Sequence, residues 1–214
     1  ACLPSATHAL ITTPGATRFY RSAQDAARQS LAVTVADGAR LEWLPSETIA
    51  HSGCLAQNRL RFELAPGAEM LGWDVLALGL PASGDTYTHG HFHQQIELPG
   101  VWLERALVNA GDRHLLDSPL GWAGHRVMAT MWFATGTPID GPRVDQLLAV
   151  ARDITEADPC TARIGVTAPN PNTVVLRMLA PHTEAALGVL RRVWGGWRHA
   201  AWQLAPCLSR LWQT

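Results

Sequence analysis

Apolar and polar residues alternate in short runs through the first two-thirds of the chain, with turn residues between the runs. Arg59-Leu60-Arg61-Phe62-Glu63-Leu64 keeps period two and puts Leu60, Phe62 and Leu64 on one face of a strand. Residues 30–35 alternate likewise and stop at Asp37-Gly38, a turn signal. A short β-prone run over 9–12 stops at Pro14-Gly15, and another over 41–44 closes at Pro45. Further strands are predicted over 71–78, 86–98, 101–109 and 127–133. Strands this short and this regular predict packed sheets or a coil of strands.

The period turns helical twice. Over 142–157, Val144, Leu147, Leu148, Ala151 and Ile154 fall at helical spacing, with Pro142 near the start and Asp158-Pro159 as the stop. Over 183–198, Leu187, Leu190, Val193, Trp194 and Trp197 share a face. Thr183 is the predicted N-cap, and Arg191, Arg192 and Arg198 lie late, where the helix dipole favours them. Between the helices, strands are predicted over 161–166 and 173–178, separated by the loop Pro169-Asn170-Pro171-Asn172. The predicted fold is mainly β: stacked sheets in a β-helix-like two-layer body, with two α-helices in the C-terminal third. One domain is expected over 1–214, its β body at about 1–135 and its helical part at about 140–214.

Composition narrows the functions. With 47% hydrophobic residues the chain can bury a core, and a net charge of -1 offers no field for nucleic acid or an anionic membrane. All 17 cationic residues are arginines, which removes Schiff-base and P-loop lysine chemistry. Cys2, Cys54, Cys160 and Cys207 form no CxxC pair and read as reduced thiols. No apolar run reaches the ~20 residues of a membrane span, and the first residues do not resemble a signal peptide.

Three features carry candidate chemistry. His89-Gly90-His91-Phe92-His93 would line three imidazoles on one side of a strand, as a metal site could use them. His91, His93 and Glu97 also approximate the HxHxxxE pattern of a cupin-like metalloenzyme, an alternative function. The stretch 12–22 holds Arg18, Tyr20 and Arg21 beside a turn; it suits an anion site, or a strand–turn–strand corner held by side-chain hydrogen bonds. Glu42, Glu47 and Asp74 are acids among apolar neighbours, fit either for a raised pKa or for pairing with arginine.

The same stretches carry a resemblance. LITTPGATRFYRS (10–22), LEWLPSETI (41–49), GWDVLALG (72–79) and the histidine of THG (88–90) resemble, in order and spacing, the UreD (UreH) family of urease accessory proteins. Pro14, Gly15, Arg18, Phe19, Tyr20, Arg21, Trp43, Pro45, Trp73 and Asp74 fall in these motifs. The family carries a further strand-rich front portion ahead of where this chain begins, and only His89 of the three histidines fits its pattern. The resemblance implies a cytoplasmic, non-enzymatic scaffold. It implies binding to accessory protein F, through F to the GTPase accessory protein G, and docking on apo-urease for GTP-dependent nickel insertion. No cofactor is expected to be tightly bound, and nickel is cargo in transit. Residue type and motif position make Glu42, Glu47, Cys54, His89, His91 and His93 the expected contacts along its passage.

Overall fold

A computed structural model describes residues 1–80, 83–156 and 163–212. Its strands are β1 (Cys2–Leu3), β2 (His8–Ile11), β3 (Thr17–Phe19), β4 (Ala27–Val35), β5 (Arg40–Trp43), β6 (Thr48–Ala50) and β7 (Cys54–Leu64). They continue as β8 (Glu69–Leu78), β9 (Gly90–Leu98), β10 (Trp102–Asn109), β11 (Val127–Thr135), β12 (Arg163–Asn170) and β13 (Thr173–Ala180). The helices are α1 (Arg113–Asp117), α2 (Gly141–Glu156) and α3 (Thr183–Trp202).

The chain coils between two sheets. β4, β7 and β9 run parallel in a five-stranded sheet of order β1-β4-β7-β9-β10. β2, β5 and β8 run parallel in an eight-stranded sheet whose main path is β12-β13-β11-β8-β5-β2, with β3 and β6 alongside. From β1 to β9 the chain crosses repeatedly from one sheet to the other, staying on the larger sheet only at β2–β3 and β5–β6, and this forms the stacked, β-helix-like body expected. Helices α2 and α3 cover the far face of the larger sheet.

Burial explains which strands alternate. β7 and β9 face water on one side and read polar at every second residue. β8 and β11 lie between the other sheet and the helices, so nearly every residue is buried and the runs are mostly apolar, interrupted by Glu69, Asp74, Thr130 and Thr135. The helix-side core joins Trp73, Phe133, Leu147, Leu176, Leu190, Trp194 and Trp197.

Several local expectations shift. The strand expected from 86 begins only at Gly90, whose φ of +91° breaks the extended run; a Cβ there would lie 2.2 Å from the Cys54 carbonyl oxygen. β7 starts at Cys54, five residues early, because Asn58 points inward as a polar residue at an apolar position. Pro169 and Asn170 belong to β12, leaving Pro171-Asn172 as a two-residue turn. His182 rather than Thr183 caps α3, its ring accepting from the Ala185 N–H. β3 is the second strand of the corner expected over 12–22, whereas β1, β6 and α1 were not anticipated. Ala157, Asp158, Pro159, Cys160 and Thr161 lie outside the described residues, whereas Cys2, Cys54 and Cys207 are free thiols.

Candidate functional site

The motif blocks lie on adjacent strands. β2 and β3 pair in parallel with β5 and β6, and these with β8. Pro14 and Gly15 make the corner between β2 and β3. The Thr13 hydroxyl donates to the Gly15 carbonyl at 3.0 Å and accepts from the Ser46 N–H at 2.9 Å, so the stretch is a hydrogen-bonded corner. Phe19 is buried edge-on to Phe92 at 5.5 Å, while exposed Tyr20 stacks on His51 at 4.9 Å. Arg18 and Arg21 are exposed. Trp43 packs between the sheets near Phe62, and the Trp73 N–H donates to the Pro45 carbonyl at 2.7 Å.

The expected metal contacts are dispersed. Glu42 is fully buried on the helix side, bonded to His8 Nε2 at 2.6 Å, Trp194 Nε1 at 2.5 Å and Arg198 Nε at 3.1 Å. Glu47 lines a cleft with Pro14, Gly15 and Arg191, whose guanidinium lies over Trp212. Cys54 is buried on the inner face of β7, and burial raises its pKa. His89 precedes β9, its Nδ1 2.9 Å from the Thr88 hydroxyl, and lines a second cleft with Arg21, Ser52 and Gly53.

His91 and His93 stand on the outer face of β9, opposite buried Phe92. The single row of three imidazoles is therefore not formed. Nor is the cupin set: Glu97 is held by Arg61 at 2.8 Å and by Gln95 at 3.2 Å, on an open sheet rather than inside a barrel. Among the described residues no three His, Cys, Asp or Glu side chains converge on one point.

A different polar feature lies between the sheets. Gln29, Asn58 and Gln94 stand in register across β4, β7 and β9; Asp74, Thr130 and Arg177 stand in register across β8, β11 and β13. The rows face each other: the Gln94 amide lies beside the Asp74 carboxyl across the gap, and Glu104 of β10 pairs with Arg177 at the margin. Asn58 Nδ2 donates to Gln94 Oε1 at 3.2 Å, but Asn58 Oδ1 and Gln94 Nε2 are buried without a well-formed protein hydrogen bond. This seam divides the inter-sheet core into two apolar clusters, one around Phe62 and Trp132, the other around Phe19 and Phe92. Burial pushes the Asp74 carboxyl up to about 6; Gln94 opposes the shift and the charge of Glu104 adds to it.

Of the seam, only Asp74 was singled out from sequence. Asn58 and Gln94 carried a usable signal, since each is polar at an inward position of an otherwise alternating strand. Glu69 was also missed; it ties the helices to β8, taking two bonds from Arg143 and one from the Trp202 N–H.

Fold and seam together define a two-sheet scaffold backed by helices, with a polar row kept inside it. The chain belongs to the UreD urease accessory protein family, whose model matches residues 1–213. It is 54% identical over 212 residues to the urease accessory protein UreD of Leptothrix cholodnii, covering 99% of this chain and 76% of that one. Against the UreD proteins of Methylibium petroleiphilum and Polaromonas naphthalenivorans it is 56% and 53% identical, covering 97% and 96% of this chain and 74% of each relative. Its role lies in urease maturation, as an accessory protein rather than an enzyme. No helix among the described residues is long and apolar enough to cross a membrane.

Proposed function

We propose that this chain is a cytoplasmic scaffold through which nickel passes to apo-urease, along the seam between the two sheets. One observation carries the reading: the seam keeps a carboxylate, two amides and a threonine buried between apolar clusters while two of their polar atoms lack a partner. A seam serving stability alone would be hydrogen-bonded to completion, because each unsatisfied buried group costs about 1–3 kcal/mol. Oxygen donors spaced along a path also suit hand-over better than a closed set of imidazoles and thiolates, which would hold the ion. With its carboxyl titrating near 6, Asp74 is mostly ionised at neutral pH and attracts a cation.

In this reading Cys54 and His89 serve at one end of the sandwich, while Glu42 and Glu47 hold the frame. Accessory protein F binds the scaffold, the GTPase accessory protein G joins through F, and the assembly docks on apo-urease.

The test is co-purification with F, G and apo-urease, followed by activation with nickel and GTP. Activation should require this chain. Asn58→Leu with Gln94→Leu, which fills the seam with apolar side chains, should preserve association and remove most activation. A folded chain that neither associates nor activates contradicts the scaffold reading; full activation by the filled variant contradicts the passage.

A further inference from the structure

We propose that His91, His93 and Gln57 form a chelate on the outer face of the five-stranded sheet for a divalent ion that favours imidazole, such as Ni²⁺ or Zn²⁺. The two histidines point the same way from β9, on the face opposite buried Phe92. Two residues along a strand span about 6.6 Å, a gap that two imidazoles can close onto one ion at bonds of about 2.0–2.1 Å. Gln57 stands beside His93 on the neighbouring strand, in direct register. Its side-chain oxygen is buried and lacks a protein hydrogen bond, which leaves an acceptor next to the imidazole pair.

The surroundings fit a two-histidine site of moderate strength. Leu55 is in register with His91 and Leu107 with His93, so apolar side chains border the pair. Arg28 lies beside Gln57 on β4, and its charge opposes a bound cation. Two nitrogens and one amide oxygen leave coordination positions open to water, which gives micromolar rather than nanomolar binding and ready exchange. The site is separate from the seam, because inward Phe92 and Gln94 alternate with these outward histidines. It stands whether or not nickel travels between the sheets.

The experiment titrates the full chain with NiCl₂, and separately with ZnCl₂, in a calorimeter. Wild type should show one micromolar event that His91→Ala with His93→Ala abolishes and Gln57→Leu weakens several-fold, with circular dichroism unchanged. Substoichiometric Ni²⁺ should broaden the ring resonances of His91 and His93 before those of the other histidines. An unchanged event in the double variant, no event in wild type, or broadening centred on other histidines overturns the proposal. None of these readouts uses urease, so failure here leaves the passage reading to its own test.

Discussion

Glu42 and Asp74 are both buried carboxylates on strands of the larger sheet, but they face opposite sides of it. On the helix side Glu42 meets an imidazole, an indole and a guanidinium, and its oxygens are fully engaged. Between the sheets Asp74 lies beside the Gln94 amide, with Glu104 as a nearby like charge. The apolar layers differ to match. The helix side forms one continuous cluster, whereas the inter-sheet side is split in two by the seam. A carboxylate met by three donors locks elements together; one buried beside a like charge and unsatisfied amides lowers stability and points to a use beyond folding.

The contrast gives opposite signs on substitution. Glu42→Ala should show the largest effect, a loss of about 3–5 kcal/mol in urea unfolding, because Arg198 and His8 lose their buried partner. A loss below about 1 kcal/mol would erase the distinction. Asp74→Asn should instead raise stability at pH 7, by at most about 3 kcal/mol. Its folded pKa lies above its unfolded one, so the contribution of Asp74 to stability is greatest below about pH 4 and is lost as pH rises through about 6. The Asn variant should lack that decline, which urea midpoints across the range would read. Trp194→Phe, which removes one of Glu42's donors, should cost about 1–3 kcal/mol in the same assay. Arg177→Ala at the seam margin should cost under about 1 kcal/mol, since its ion pair is half exposed.

Much of the fold was legible because alternation and helical spacing report burial directly. β4, β5, β7 and β8, with α2 and α3, stand close to where the periodicity places them. The misses have local causes. Gly90 delays the start of β9 through its backbone angle, which no side-chain pattern shows. β1 and β6 are too short to display a period. The seam was less legible, because its register depends on strands distant in sequence: Asp74 and Gln94 meet only once both sheets are stacked. The sequence leaves Glu42 open between a raised pKa and pairing with arginine, because two of its partners come from α3, over 150 residues away. The expected histidine row rested on strand alternation, and the positive φ of Gly90 breaks that alternation between His89 and the other two.

The most direct test measures stability and urease activation on the same Asp74→Asn preparation. A variant more stable than wild type at pH 7, yet deficient in delivering nickel to urease while still bound to its partners, is the expected result. A variant that is destabilised and inactive would make Asp74 a structural residue, and one that activates urease fully would remove the seam from the nickel route.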